Sequence, residues 1–278
     1  GLAIDTALPT GEEFPYFRDF WIVEPKKRSN HITIYALLDS TSLTGVYKFF
    51  VQPGEKTTVD VKASIFRRKN VEKLGMAPLT SMFYYGENTI NRPDDYRPEV
   101  HDSDGLLIAY EADKWEWRPL LNPSRLNVSN FPANDVYGFG LLQRDTEFCN
   151  YQDLEARYDL RPSVWIAPRE RWGKGRVELI EIPSTWETID NIAAFWVPEE
   201  LPQIGEPVNF SYRMSWHLPK GSPHGMGYVV STRTGKGKDD NTRLFVIDFQ
   251  GKTIEAIPAD TGLTAVVTVS EGAELVEK

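Results

Sequence analysis

Cysteine is almost absent. Cys149 is the only one in 278 residues. No internal disulfide can form, and cysteine usage points to no redox compartment. Cys149 is expected to be a small buried residue rather than a nucleophile. Long hydrophobic runs are missing too. The longest apolar stretches, such as Ile192–Val197, are strand-sized and far below the ~20 residues of a membrane helix. Histidine is scarce: His31, His101, His217 and His224 are scattered, with no His-x-x-x-His or Cys-x-x-Cys pairing. That pattern gives no expectation of a metal site. Positive charge is in deficit, with a net charge of −9 and a pI near 5.1. An acidic chain lacks the basic footprint for nucleic acid or an anionic membrane. Lys26-Lys27-Arg28, Arg67-Arg68-Lys69 and Lys236–Lys238 are short and read as solvated loops. Gly173-Lys174-Gly175 and Gly235-Lys236-Gly237 are too short to cradle a phosphate, so no cofactor is expected. The opening Gly1–Ile4 meets Asp5 at once and is no signal peptide, which places any export signal upstream of Gly1.

What is present is alternation. His31–Leu38 and Thr57–Phe66 alternate apolar and polar residues. Leu106–Tyr110, Leu126–Val128, Ser163–Ile166 and Val177–Ile182 are further short apolar runs, punctuated by Gly, Pro, Asn and Asp. This period of two predicts an all-β sandwich. Helix is confined to about two turns over Tyr151–Tyr158 and one over Asn70–Gly75. The stretch Pro198–Pro207 loses all apolar periodicity and predicts a boundary. Residues 1–202 are therefore assigned to a large β-sandwich. Residues 207–278 are assigned to a small immunoglobulin-like sandwich, with strands at Val208–Trp216, Gly227–Thr232, Arg243–Phe249 and Leu263–Ser270. Four strands leave that module incomplete at its C-terminal side.

Aromatic and ionisable residues crowd together in Gly138–Pro198, which holds four of the eight Trp. Such a mixture suits a polar ligand with apolar faces, such as a sugar chain. Trp21, Trp196 and Trp216 stand in strand-like context and are assigned to the core. Trp115 and Trp117 flank Glu116, while Trp172 and Trp186 lie in loops; these four are the stacking candidates. Two acidic clusters stand out. Asp102 and Asp104 lie in Tyr96–Leu106, where Asp-Gly is also ordinary turn chemistry. Glu187 and Asp190 lie in Trp186–Asn191, which also reads as a loop leading into a strand. Two distant carboxylates that a sheet brings together could serve glycoside hydrolysis, one protonating the leaving oxygen and one activating water. Arg-Pro recurs at Arg92, Arg97, Arg118 and Arg161. Each Pro holds its Arg extended, either as strand-end punctuation or poised to pair a carboxylate or bind hydroxyls.

At Gly1–Thr6, Tyr35–Ser40 (YALLDS), Leu74–Phe83 (LGMAPLTSMF), Tyr96–Leu106 (YRPEVHDSDGL), Arg118–Pro123 (RPLLNP) and nearly all of Gly138–Pro198, the chain resembles the periplasmic glucan biosynthesis proteins, the OpgG/OpgD (MdoG/MdoD) family. Beyond residue 208 mainly Phe245–Gly251 (FVIDFQG) still matches. The resemblance implies a large β-sandwich followed by an immunoglobulin-like domain, export to the periplasm, and a β-1,2-linked glucan as partner. It also implies that the family's large domain begins upstream of Gly1 and that strands follow Lys278. The activity it implies is an inverting endo-β-1,2-glucanase. A transglycosylase, or a non-catalytic module that binds glucan and works with other glucan-synthesis proteins, stays open. The family's two catalytic aspartates fall on Asp102 and Asp190, with Glu187 in support. Arg97, His101, Trp115, Trp117, Trp172 and Trp186 are the expected substrate-binding residues. Neither branch of the family nor an oligomeric state is indicated.

Overall fold

The alternating runs become antiparallel strands in the computed structural model, which describes residues 1–217, 227–258 and 260–277. First come β1 (Leu2–Ile4), β2 (Tyr16–Val23), β3 (Ile32–Asp39), β4 (Leu43–Gln52), β5 (Thr57–Arg67) and β6 (Leu74–Ser81). The short β7 (Phe83–Tyr85) and β8 (Val100–His101) follow, then β9 (Gly105–Ala109), β10 (Trp115–Pro119), β11 (Asn127–Asn134) and β12 (Gly138–Leu142). Two 3-10 turns, Phe148–Asn150 and Tyr158–Leu160, lead to β13 (Ser163–Pro168), β14 (Lys174–Glu181), β15 (Ile192–Pro198) and β16 (Pro207–His217). Last are β17 (Tyr228–Lys236), β18 (Arg243–Gln250) and one helical turn, Lys252–Glu255.

Two sheets face each other as a sandwich. One has five strands in the order β1-β6-β15-β14-β11, the other nine in the order β10-β9-β12-β13-β16-β5-β4-β3-β2. The side-chain period of a strand explains the packing. In β5 Val59, Val61, Ala63 and Ile65 point inward, and in β16 Val208, Phe210 and Tyr212 join them. The five-stranded sheet answers with Met76, Val177, Leu179, Ala194 and Trp196. Gly105 on β9 admits the Trp117 ring, since a Cβ there would lie 2.0 Å from the indole. A smaller cluster of Met82, Tyr85, Val100, Tyr151 and Tyr158 lies under β7 and β8.

The boundary expected at residues 202–207 is corrected. Residues 207–217 do not open a second module. They form β16, which pairs with β5 from Pro207↔Phe66 to Trp216↔Thr57 and with β13 on its other side. The Pro-rich segment is an excursion from the sandwich, held where the Arg67 guanidinium donates to the Pro202 carbonyl. The sandwich therefore runs to His217. Among the described residues beyond it, sheet structure consists of the β17–β18 pair, and Leu263–Ser270 does not form a regular strand. Glu87 latches this pair to the sandwich, accepting from Ser231 Oγ at 2.9 Å and from the Thr232 N–H at 2.5 Å. Thr234 Oγ1 adds a bond to the Asn88 carbonyl at 3.0 Å.

Local expectations change as well. Trp196 is fully buried and Trp216 packs on the core, but Trp21 is exposed because β2 is the outermost strand of its sheet. The helix expected over Tyr151–Tyr158 is replaced by the flanking 3-10 turns, and Asn70–Gly75 runs into β6. Cys149, expected to be buried, is exposed on the first 3-10 turn. Among the described residues, no helix is long and apolar enough to cross a membrane.

Candidate active site

Asp102 is placed by a two-strand clip. β7 and β8 pair through Phe83↔His101 and Tyr85↔Val100, and the chain leaves β8 directly into Asp102. The Asp102 N–H donates to the Met82 carbonyl at 2.9 Å. Its side chain is partly buried. Arg161 Nε lies 3.2 Å from Oδ1, an ion-pair contact whose angle leaves that oxygen without a hydrogen bond. Burial pushes the Asp102 carboxyl above the usual range. The charges of Asp190 and Glu187 push the same way, while Arg161 and His101 oppose them.

Asp190 arrives on the loop joining β14 to β15. The Ile182 N–H donates to the Asn191 carbonyl at 2.8 Å, closing the base of the loop. The buried Asn191 amide then binds it to β7: Oδ1 accepts the Phe83 N–H at 2.9 Å and Nδ2 donates to the Phe83 carbonyl at 3.0 Å. Asn122 Nδ2 bridges the Tyr84 and Ser184 carbonyls at 3.0 and 2.8 Å. Three consecutive residues, Met82, Phe83 and Tyr84, thus anchor both acidic segments. Asp190 and Trp186 are exposed at the loop's surface, Trp186 by 69%.

Glu187 is committed to its neighbours. Arg97 donates to both its oxygens, at 2.7 and 3.1 Å, and Tyr158 Oη donates to Oε2 at 2.6 Å. Arg97 also holds Asp95 through Nε and Nη2 at 3.1 and 2.8 Å, and Asp153 through Nη1 at 2.8 Å. The hydrogen bond from Arg97 lowers the Asp95 carboxyl to about 2 against the penalty of burial. With its fork filled by three carboxylates, Arg97 braces the Asp190 loop instead of reaching out to sugar hydroxyls. Both Glu187 oxygens are likewise taken up within the protein.

His101 cannot touch a substrate either, because it is fully buried. Gln143 Nε2 donates to the His101 and Tyr158 carbonyls at 2.8 and 3.2 Å. That leaves Gln143 Oε1 to accept from His101 Nδ1 at 2.8 Å, while Nε2 meets Glu99 at 2.8 Å. Both ring nitrogens donate. Burial works against the charged ring, but the hydrogen bond and charge of Glu99 prevail and its pKa is raised. The imidazolium also stacks on Phe83, with centroids 5.3 Å apart. It fixes the backbone from which Asp102 projects.

The tryptophans divide. Trp186 stays beside the carboxylates. Trp172 is corrected to the core, where it meets Trp196 and Tyr212 at 6.0 and 6.1 Å. Trp115 and Trp117 lie on β10 and line a separate cavity. Asp104 is buried and bound by Arg144, whose N–H donates to Oδ1 at 3.1 Å. The structure therefore brings Asp102, Asp190, Glu187, Arg97 and Trp186 together, and adds Arg161, Tyr158 and Asn191. Arg161 is marked in the sequence by its following Pro; Asn191 enters there only as the end of the Trp186–Asn191 segment. Nothing local marked Tyr158. Among the described residues, no group of three or more His, Cys, Asp or Glu side chains is arranged to hold a metal ion.

The model of the family described as "Periplasmic glucan biosynthesis protein, MdoG" matches residues 1–278. "Glucans biosynthesis protein G" of Pseudomonas entomophila is 49% identical over 288 residues, covering all of this chain and 50% of that protein. The chain thus spans about half the length of this curated relative. Among solved structures, the GH36 α-galactosidase AgaA of Geobacillus stearothermophilus in complex with raffinose aligns at 10% identity and a TM-score of 0.40. That alignment covers 78% of this chain and 29% of the other. A second structure of AgaA, without the two substitutions that the first carries, aligns at 0.39, covering 77% and 29%. At such scores the likeness says nothing of function.

Proposed function

Because this chain belongs to the periplasmic glucan biosynthesis protein family, we propose that its Asp102–Asp190 pair acts on a β-1,2-linked glucan in the periplasm, as an inverting endo-glucanase. The observation that carries this reading is that consecutive residues, Met82 and Phe83, anchor the two segments that carry Asp102 and Asp190, near enough for the Asp190 charge to act on the Asp102 carboxyl. One carboxyl protonates the glycosidic oxygen as the C–O bond breaks. The other takes a proton from the water that attacks the anomeric carbon from the opposite face. Burial and the Asp190 charge favour a retained proton on Asp102, and the Arg161 cation beside it only partly opposes them. Glu187, fixed by Arg97 and Tyr158, sets the loop geometry. Trp186 offers an exposed ring for a sugar face.

The test uses the full-length protein with linear β-1,2-glucan. Shorter chains with new reducing ends of inverted configuration are expected, and Asp102→Asn and Asp190→Asn should lose the activity. Unchanged chain length, or full activity in Asp190→Asn, would overturn the reading. New linkages or rings without new reducing ends would replace hydrolysis by transglycosylation. Tight binding without turnover would leave a glucan-holding module.

A further inference from the structure

Gln143, which holds His101, also lines a second cavity of about 750 Å3. On one side are Trp115, Trp117 and the turn Leu142–Glu147; on the other are Gly227–Val230, Phe249 and Gln250. The groups that perturb Asp102 are Arg161, Asp190, His101 and Glu187. Those that perturb the cavity residue Asp145 are Asp104, Glu99, Arg144 and Glu87. None of Asp102, Asp190, Glu187, Arg97 or Arg161 lines the cavity, so it is a separate pocket. The Glu87 latch on β17 builds the cavity, and Arg144 Nη1 adds a bond to the Val229 carbonyl at 3.4 Å.

Its chemistry selects a ligand class. Arg144 is the one cation among the described lining residues. It is taken up by Asp104 and Glu87 and lies 4.7 Å from the Trp117 ring centre. Among the described lining residues, no free positive group therefore remains for an anion. Asp113, Asp145 and Glu147 supply acceptors, and the Asp145 carboxyl makes no hydrogen bond among the described residues. Burial, with the charges of Asp104 and Glu99 added, pushes that carboxyl up to about 7. It can therefore both donate to and accept from hydroxyls near neutral pH. Aromatic walls, unpaired carboxyls and the lack of a free cation suit a neutral polyhydroxylated ring better than an anionic or cationic ligand.

We propose that this cavity is a second saccharide site, which holds a stretch of the glucan away from the Asp102–Asp190 pair. It rests on the reading that the pair handles a glucan, and adds a second grip on the same chain. The test uses full-length protein carrying Asp190→Asn, with linear β-1,2-linked glucose oligosaccharides as probe. Hydrogen–deuterium exchange is expected to show protection over 142–147 and 227–230 as well as over 97–102 and 183–191. Calorimetry should show binding about tenfold weaker when Asp145→Asn is added, the loss of one hydrogen bond to a charged group. The cavity-filling Val230→Trp should have the same effect, with circular dichroism unchanged in both. Protection confined to 97–102 and 183–191, with parental binding in Asp145→Asn, overturns the second site and leaves the reading of the pair intact. Protection of the cavity in a protein whose native form cuts no glucan supports the second site and overturns the reading of the pair.

Discussion

The side-chain amide of Asn191 closes a two-point bond on the backbone of Phe83, accepting its N–H and donating to its carbonyl. A third bond reaches the Ile182 carbonyl at 3.1 Å. One residue earlier, the Met82 carbonyl holds Asp102. Asn191→Ala leaves the Phe83 groups unsatisfied in a buried setting and should cost about 2–4 kcal/mol in stability. Asn191→Asp keeps the size but loses both donated bonds. Chemical denaturation measures both variants. An Asn191→Ala variant as stable as the parent would show that the loop holds itself.

Arg97 neutralises Asp95, Asp153 and Glu187 with a largely buried fork. Arg97→Ala should destabilise by about 3–5 kcal/mol at neutral pH, because it strands buried carboxylates. Arg97→Lys should recover little, since a point charge cannot make paired bonds. The lowered Asp95 carboxyl contributes stability that is present above its unfolded pKa of about 4 and lost as pH falls toward 2. The penalty of Arg97→Ala should therefore shrink in acid. A penalty constant from pH 7 to pH 2.5 would contradict this pairing.

The titration of Asp102 reports its surroundings. Asp190 raises its pKa and Arg161 lowers it. Asp190→Asn should move the Asp102 carboxyl to lower pKa, and Arg161→Met should move it higher. Carbon-13 NMR of the side-chain carboxyls follows both. Insensitivity to Asp190→Asn would mean that the two groups do not face each other. Where turnover survives in these variants, the matching limb of the pH–rate profile moves the same way and assigns acid and base.

Asp145 binds its proton more tightly in the folded chain than in the unfolded one. Stability should therefore fall as pH rises from about 4 to about 7, with the full cost present above that range. Asp145→Asn removes the ionisation. Its Tm should match the parent at pH 4 and exceed it at pH 8. A Tm difference independent of pH would show that burial and the charges of Asp104 and Glu99 do not raise this carboxyl.

Period-two patterning made β3, β5, β9, β13, β14 and β15 legible in the sequence, because each buries alternate residues against one core. β16 carries the same pattern, yet its place between β5 and β13 depends on pairing across more than a hundred residues, and the Pro-rich excursion before it imitates a domain linker. The acidic motifs could be found locally, since Asp102 and Asp190 both lie in short loops next to strands. The roles of Arg97 and His101 could not. An Arg that binds sugar and an Arg saturated by Asp95, Asp153 and Glu187 look alike until the three carboxylates are brought together. Trp172 misled for a related reason: its neighbours in the chain are polar, while its neighbours in space are Trp196 and Tyr212.

Cys149 gives this chain a built-in attachment point. Its exposed thiol stands two residues along the chain from Glu147, which lines the second cavity. In the 278-residue chain, a maleimide dye placed there would be the sole label, with no cysteine to delete first. Its emission would follow occupancy of that cavity in real time, independently of any chemistry at Asp102.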